Sequence, residues 1–311
     1  MLNVYNILCD VVTEDISELI IKKLCISNMW EYISSKGINP NILFKLLKEH
    51  NCVISGSFPL LCLLNLPTEN CDIDIYGQYN PDDDALGKKY HSGYPIHKFE
   101  ELLCNIIPTT FDYINPIAEC GEYSQIPDIR YTRSYLHDPI HSGKLLQFIS
   151  VNLNPYKFIE NTFDLSFCKM TFDGEVLVVP NFKDILHMKG KLEITVDKEI
   201  LEMLKYTYDY PLLTSDRSEK LAYSPMLCAL GIDIEVHTLG NILKDHLFYK
   251  YFIKIRDDKF VGRHSNIQVD TCDKNLLHIR IMEDDNNPVI ALTALRIIKY
   301  KKRGFVIVFD S

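Results

Sequence analysis

Apolar residues along the first fifty positions recur at the three- and four-residue spacing of a helix. In "EDISELIIKKL" they are Ile16, Leu19, Ile20 and Leu24. A second helix is predicted in "NPNILFKLLKEH", where Asn39 suits the N-cap and Pro40 the first turn. The pattern therefore predicts that residues 1–50 form an N-terminal helical segment.

After residue 50 the apolar runs become shorter and are separated by turn residues. "NCVISG" predicts a buried strand that ends in glycine, and "CDIDIY" predicts a second strand. Between them, "SFPLLCLLNL" predicts a short helix with Ser57 as its cap and Pro59 in its first turn. Residues 77–96 are rich in Gly, Pro and Asp, which predicts a surface loop with Asp82–Asp84 in a solvated turn.

The remaining pattern alternates strands with short helices. "IPDIRYTRSYLHDPIHSGKLLQFISVNL" predicts two strands joined by a His-Asp-Pro turn, and "FIENTFDLSFCKMTFDGEVLVV" predicts a hairpin around Asp173-Gly174. "HKFEELLCNII" and "NFKDILHMKGK" predict helices, and a basic helix is expected to stop at Gly304 before a short last strand. These elements divide the chain into helices at 1–50, a core at 51–191 and a C-terminal region of mixed helix and strand at 192–311.

The composition is that of a globular protein, with 311 residues of which 47% are hydrophobic and 24% charged. The net charge of −9 is opposite in sign to the basic surface with which proteins bind extended duplex nucleic acid. We therefore expect no extended duplex as a partner. A small ligand, a protein, or a nucleic-acid end held by a local basic patch is compatible with this charge.

The ten cysteines are scattered singly, without a Cys-x-x-Cys pair or zinc-finger spacing. The N-terminus lacks the charged segment and cleavage site of a signal peptide, and no apolar run reaches the roughly 18 residues that span a bilayer. We therefore expect a soluble protein of the reducing cytoplasm with no membrane partner.

Two acids interrupt the apolar strand "CDIDIY". Because side chains alternate between the faces of a strand, Asp72, Asp74 and Tyr76 share one face. The two carboxylates are then about 6–7 Å apart along the strand. Such a pair is typical of sites for hard divalent cations, above all Mg²⁺ when phosphates complete its ligand shell. The opposing interpretation is an edge strand with one wet face.

Two further features fit the same chemistry. Gly56-Ser57 lies where a strand turns into a helix, and the first N–H groups of a helix bind anions such as phosphate. In "ENTFDLSFCK" an alternating pattern predicts a strand with Asp164 on the face opposite Phe163 and Leu165. An acid there is suited to share a metal and to act as base toward an attacking hydroxyl.

In this order, the motifs resemble the signature of the DNA polymerase β-like nucleotidyltransferase superfamily: "GS", then "DIDIY" after 14 residues, then "FDLSF". The wording "ISGSFPLL…CDIDIYG…LLQFISV…FDLSFCK…LRIIKYKKRGF" more narrowly resembles nucleotidyltransferase-like proteins of large DNA viruses and fungi. The resemblance covers about residues 50–190 and the last helix. Phe58-Pro59 directly after Ser57 departs from familiar members. If the chain is viral, the host cytoplasm is its expected location.

The resemblance implies an α+β fold with a nucleotidyltransferase-type mixed sheet flanked by helices, to which the residue pattern adds N-terminal helices and a mostly helical C-terminal region. It implies Mg²⁺ or Mn²⁺ as cofactor and a nucleoside triphosphate such as ATP as substrate. The residues it assigns to the triphosphate are Gly56 and Ser57, with Arg296 and Lys299 from a helix after the core; the alternative for these two basic residues is a solvated C-terminal turn whose cations complement the helix dipole. The residues it assigns to the metal and to catalysis are Asp72, Asp74 and Asp164.

The function this implies is transfer of a nucleoside monophosphate to a hydroxyl of an RNA end, a nucleotide or a protein, with release of pyrophosphate. The alternatives are a catalytically inactive nucleotidyltransferase fold that binds or scaffolds, and a structural or virion-associated interaction protein. Asp173 and Asp310 are weaker candidates for the third acid. His137 and His141 are interpreted as parts of a turn, and Trp30 as packing between the N-terminal helices.

Overall fold

The structure is a computed structural model, in which the chain divides into two compact units, Met1–Ile194 and Thr195–Ser311. The N-terminal helices and the predicted core therefore belong to one unit. The structure describes residues 1–68, 71–89, 96–103, 112–113, 128–138, 143–194, 198, 201–202, 204–205, 267–273, 276–281, 293, 296–297 and 299–309.

Helices pack around a sheet in the N-terminal unit. The helices are α1 (Leu2–Cys9), α2 (Glu14–Ser35), α3 (Pro40–Glu49), α4 (Ser57–Leu64), α5 (Asp82–Lys89), α6 (Lys98–Leu103), α7 (Pro155–Thr162) and α8 (Phe182–Leu186). The strands are β1 (Val53–Ser55), β2 (Ile73–Gln78), β3 (Asp112–Tyr113), β4 (Ile129–Asp138), β5 (Gly143–Val151), β6 (Thr171–Phe172), β7 (Leu177–Val178) and β8 (Lys189–Lys191).

The main sheet has seven strands in the order β3-β4-β5-β2-β1-β6-β7. β2 and β5 are parallel, whereas the other neighbouring pairs are antiparallel, so the predicted mixed sheet flanked by helices is confirmed. The strand that follows the Gly-Ser helix, β2, lies at the centre of the sheet. Its backbone is therefore held on both sides by ladder hydrogen bonds, which fixes the positions from which its side chains start.

The N-terminal helices form as predicted, but α2 uses a different face. Its buried residues follow the four-residue line Ser17, Ile21, Cys25, Met29 and Ile33. Ile16, Leu19 and Leu24 are exposed, because α2 packs on α4 through its other side, where Asn28 Nδ2 donates to the Cys62 carbonyl at 2.9 Å. The predicted cap of α3 is confirmed: Asn39 Oδ1 accepts from the amides of Asn41 and Ile42.

The acidic stretch after β2 is not the solvated loop that its composition predicts. Asp82–Asp84 form the first turn of α5, where acids favour a helix N-terminus. Asp83 is only 4% exposed, and its Oδ2 accepts from the Asn80 amide at 3.0 Å. The acids therefore start a helix and one of them is buried.

Two other sequence predictions in this unit are confirmed. β4 and β5 pair antiparallel, as predicted for "IPDIRYTRSYLHDPIHSGKLLQFISVNL". β6 and β7 form the hairpin around Asp173-Gly174, with Gly174 at φ +97°. The predicted helix "NFKDILHMKGK" begins as α8 but gives way to β8 at Lys189.

In the C-terminal unit the described residues include the strands β9 (Ile267–Asp273), β10 (Leu276–Ile281) and β11 (Val306–Val308). β9 and β10 pair as an antiparallel hairpin, which agrees with the prediction of mixed helix and strand at 192–311. The predicted helix end is confirmed: Gly304 has φ +87°, and its amide and that of Phe305 bond to carbonyls of the preceding turn.

Candidate active site

Gly56 forms the turn between β1 and α4 with φ +82° and ψ −143°, a conformation that residues with a side chain rarely adopt. A Cβ atom at this position would lie 3.1 Å from Asp74 Oδ2. The absence of a side chain therefore lets the carboxylate of Asp74 stand against the backbone of the turn. The Gly-Ser turn therefore lies next to the acids, as the sequence predicts.

Ser57 is the first residue of α4 and not its cap, which corrects the prediction. Gly56 holds the N-cap position, and no side chain in the described part of the chain caps α4. Ser57 Oγ lies 3.3 Å from Cys71 Sγ, so the start of α4 lies beside the residue that precedes Asp72. Two parts of the chain separated by 14 residues thus meet at one place.

The Phe58-Pro59 pair serves the packing of α4 on α2. Phe58 is fully buried, and its ring centroid lies 5.1 Å from that of Tyr32. Cys25 Sγ donates to the Pro59 carbonyl at 3.5 Å. Because proline has no N–H, the first turn of α4 offers an anion the amides of Ser57 and Phe58 but not a third one from position 59.

Asp72 immediately precedes β2, and Asp74 is its second residue; both are half-buried. Ile73 and Ile75 are fully buried on the other face, as the alternation predicts. On the face of the acids, Tyr76 is covered by two aromatic rings: those of Phe158 and Phe163, with centroids 5.9 and 5.7 Å away. Asp72 and Asp74 therefore lie at the edge of the apolar cluster that these three rings form.

Asp74 belongs to a row of polar side chains that crosses the sheet. In the strand register it is opposite Ser55 on β1 and Gln147 on β5, and Gln147 is opposite Ser134 on β4. Paired residues point to the same face of a sheet. Ser55, Gln147 and Ser134 are at most 4% exposed. We call Ser134, Gln147, Asp74 and Ser55 the polar row.

Hydrogen bonds hold the outer members of the polar row. Ser55 Oγ donates to the Met170 carbonyl at 2.6 Å, and Gln147 Nε2 donates to Ser134 Oγ at 3.1 Å. The sequence pattern did not single out Gln147 as part of this row. Its signal was a single amide within the apolar run "LLQFISV".

Asp164 does not lie on a strand, which corrects the prediction. It follows α7 and precedes a single 3₁₀ turn, Ser166–Cys168. Its side chain is 2% exposed, and its carbonyl accepts from the Glu193 amide at 2.7 Å. Both the apolar and the polar residues from 164 to 168 are buried, so the alternation in "FDLSFC" does not separate two faces. The neighbouring Phe163 contacts Tyr76, which brings this loop to the face of the sheet that carries the acids.

The two basic candidates lie in the C-terminal unit. Arg296 is half-buried and Lys299 is exposed, with its Nζ 5.8 Å from the ring centroid of Tyr300. Gly56 and the acids belong to the other unit. Contact of Arg296 and Lys299 with a triphosphate stays a prediction.

The weaker candidates have structural roles or lie outside the described residues. Asp173 Oδ1 accepts from the amides of Glu175 and Val176, which makes it the turn residue that the sequence predicts. Trp30 Nε1 donates to Asn41 Oδ1 at 3.3 Å, linking α2 to α3. His137 lies in β4 and not in the predicted turn, because the strand continues to Asp138, while His141 and Asp310 are not among the described residues.

The donor set is chemically suited to a hard divalent cation, because Asp72 and Asp74 offer carboxylate oxygens beside a turn that accepts no side chain. Within the described ranges, no group of three or more His, Cys, Asp or Glu residues is arranged to hold a metal ion. Asp164 therefore does not complete a three-acid cluster there. Oxygen ligands beyond the two acids have to come from a neutral side chain, from water or from phosphate.

No protein-family model matches the chain, and no curated protein matches it. Among the helices formed by described residues, none has the length and apolar character needed to cross a membrane.

Proposed function

We propose that the chain is a nucleotidyltransferase, which transfers a nucleoside monophosphate from a nucleoside triphosphate to a hydroxyl and releases pyrophosphate. The observation that supports this most is the contact between Gly56 and Asp74, where a Cβ would lie 3.1 Å from Oδ2. It sets a carboxylate beside the start of the helix α4. A carboxylate alone would be repelled by a phosphate there, so the pairing makes chemical sense when a cation lies between them.

In this proposal the start of α4 binds the triphosphate. The amides of Ser57 and Phe58 donate to phosphate oxygens, and the helix dipole favours the negative charge. Ser57 adds a hydroxyl donor in place of its contact with Cys71. The buried ring of Phe58 and the Pro59 contact with α2 hold this first turn in place before the ligand arrives.

Asp72 and Asp74 hold Mg²⁺ or Mn²⁺, which when bound neutralises phosphate charge and polarises the phosphorus–oxygen bonds. The acceptor oxygen forms a bond to the α-phosphorus while the bond from that phosphorus to the pyrophosphate oxygen breaks. The proton of the acceptor hydroxyl passes to a base, for which Asp164 is the predicted residue. Arg296 and Lys299 are the predicted cations for the leaving pyrophosphate.

The acceptor is a hydroxyl of an RNA 3′ end, a nucleotide or a protein side chain. The net charge of −9 disfavours binding along an extended polyanion, whose contacts are made by many basic side chains. Binding of a single terminal hydroxyl does not require many basic side chains.

The test is incubation of the full chain with labelled triphosphates, Mg²⁺ or Mn²⁺, and each acceptor class. We expect transfer that falls by at least about 100-fold in Asp72→Asn plus Asp74→Asn, because a metal-dependent step loses its charge stabilisation. The matched control, Asp82→Asn plus Asp184→Asn, removes the same charge from two exposed acids and should transfer as the wild type does. Transfer that survives loss of both site acids would contradict the proposal.

A second candidate is a nucleotidyltransferase fold that binds nucleotide without catalysis. Two observations favour it: Asp164 is off the strand, and no three-acid metal group is present among the described residues. Metal-dependent nucleotide binding that requires Asp72 and Asp74, without any product in the transfer assay, would select this candidate.

A further inference from the structure

The neighbouring strand offers the candidate site a residue other than Asp164. β5 runs parallel to β2 and pairs with it directly, with Gln147 in register with Asp74. Neighbouring strands lie about 4.8 Å apart, so the two side chains start from adjacent backbone positions on one face. Asp164, by contrast, lies in a loop after α7.

We propose that Gln147 is the third oxygen ligand of the cation site formed by Asp72 and Asp74, and that this neutral ligand makes the site bind a metal–nucleotide complex in preference to the bare metal. This inference rests on the proposed function of the same site. Gln147 on the neighbouring strand takes the position of third metal ligand, for which the sequence predicts the acid Asp164.

The hydrogen bond to Ser134 decides which end of the amide is available. A primary amide has a donor end and an acceptor end, and the Gln147 Nε2 donor bonds to Ser134 Oγ at 3.1 Å on β4. The carbonyl oxygen Oε1 is therefore the end that Gln147 has for a cation. Side-chain carbonyl oxygens are accepted ligands of Mg²⁺ and related hard cations.

The surroundings of Gln147 keep its side chain in place. It is 4% exposed, and β5 is held between β4 and β2 by ladder hydrogen bonds on both sides. Its neighbours Leu146 and Phe148 are fully buried on the opposite face. A buried side chain with one fixed hydrogen bond loses little freedom when it gains a ligand.

Charge explains why an amide rather than an acid stands at position 147. A carboxylate this buried, next to Asp74, would add repulsion and a desolvation cost in the absence of metal. With an amide, the two site acids bring two negative charges, and the ligand charge count is what sets metal affinity. Phosphate oxygens then supply the missing ligands, which favours the metal–nucleotide complex.

The test measures binding of Mn²⁺ alone, and of Mn²⁺ with a non-hydrolysable ATP analogue, by calorimetry on the full chain. Gln147→Glu adds a charged ligand and should tighten binding of Mn²⁺ alone about tenfold. Gln147→Met removes the ligand at similar volume and should weaken binding of the Mn²⁺–nucleotide complex about tenfold. Gln78→Glu makes the same change at an exposed position of β2, about 13 Å from Asp74 along the strand, and should change neither affinity.

The outcomes separate this inference from the function on which it rests. If Asp72→Asn plus Asp74→Asn abolishes binding but both Gln147 variants bind as the wild type does, the role of Gln147 is wrong and the nucleotide site stands. If the wild type binds no Mn²⁺–nucleotide complex, both proposals are wrong. Circular dichroism checks that each variant is folded, and should Gln147→Met unfold, the affinity of Gln147→Glu for Mn²⁺ alone decides.

Discussion

Gly56 combines a backbone conformation with positive φ and a close approach to Asp74, and both disfavour a side chain at this position. Its φ of +82° with ψ −143° is essentially restricted to glycine, at a cost of about 1–3 kcal/mol for other residues. A methyl group would also press on Asp74 Oδ2 from 3.1 Å. We therefore expect Gly56→Ala to lower the free energy of unfolding by about 1–3 kcal/mol and to displace Asp74, weakening metal-dependent nucleotide binding.

Urea unfolding and nucleotide calorimetry on the same preparation test both effects. Gly37→Ala is the matched control, because Gly37 also has a positive φ, +78°, but follows the end of α2 and does not form the β1–α4 turn. The control should lose stability and keep its nucleotide affinity. Equal nucleotide affinity in Gly56→Ala and the wild type would contradict the role assigned to the turn.

At the scale of elements, a buried ion pair between Glu100 and Arg133 links α6 to β4. Glu100 is fully buried, and its Oε1 accepts from Arg133 Nη1 at 3.0 Å and from Tyr135 Oη at 3.2 Å. Its Oε2 accepts from Tyr131 Oη at 2.7 Å and from the His97 amide at 3.1 Å. Burial raises the pKa of Glu100, and Arg133 with the hydrogen-bond donors opposes this.

Removing one partner of this pair leaves the other charge buried, which costs about 3–5 kcal/mol. We expect Arg133→Met and Glu100→Gln each to lower the free energy of unfolding in urea, with Arg133→Met near the upper end of that range. The double variant Glu100→Gln plus Arg133→Met should recover much of the loss, because no charge is left behind and the Gln side-chain oxygen still accepts from the neighbouring donors. Additive losses in the double variant would show that the pair does not couple α6 to β4.

The elements that the sequence predicts correctly have their signal within a few residues. Asn39-Pro40 starts α3, Asp173-Gly174 turns the β6–β7 hairpin, and Gly304 stops the last helix. Each works through local backbone chemistry: a side-chain cap, a turn, or a left-handed residue. The half of the site made of Gly56 and Asp74 was predictable for the same reason, since one short helix separates them.

The elements predicted wrongly depend on what packs against them. Alternation from Phe163 to Phe167 looks like a strand, but the segment is a loop and a 3₁₀ turn in which residues 164–168 are all buried. The acids of α5 suggest a solvated turn until the burial of Asp83 is known. Gln147 faces Asp74 only through the pairing of two strands some seventy residues apart, and no local pattern encodes that register.

At the scale of the whole molecule, two buried groups near the α5–α6 junction, His97 and Asp83, change the free energy of unfolding in opposite directions as the pH changes. Burial lowers the pKa of His97 to about 4, so its stabilising neutral state is present above the unfolded value of 6.5 and is lost as pH falls through 4. Burial raises the pKa of Asp83 to about 6, so its contribution is present below the unfolded value of 3.8 and is lost as pH rises through 6.

Between pH 6.5 and 4 the two contributions therefore offset each other in the wild type. After burial, the nearby His50 also lowers the pKa of His97, while the nearby acids Glu100 and Asp84 also raise that of Asp83. Replacing one group at a time should reveal the other. The replacements must keep the local hydrogen bonds: His97 Nδ1 accepts from the Phe99 amide at 3.1 Å, and Asp83 Oδ2 accepts from the Asn80 amide.

Asparagine meets that requirement at both positions, because its side-chain oxygen accepts from a backbone amide as a helix cap does. In His97→Asn the free energy of unfolding should rise by about 2 kcal/mol between pH 6.5 and 4 relative to the wild type, since only the Asp83 contribution remains. In Asp83→Asn it should fall by a similar amount, since only the His97 contribution remains. Urea unfolding at half-unit pH intervals measures both curves. Variant curves that run parallel to the wild type would show that neither group has the pKa its burial implies.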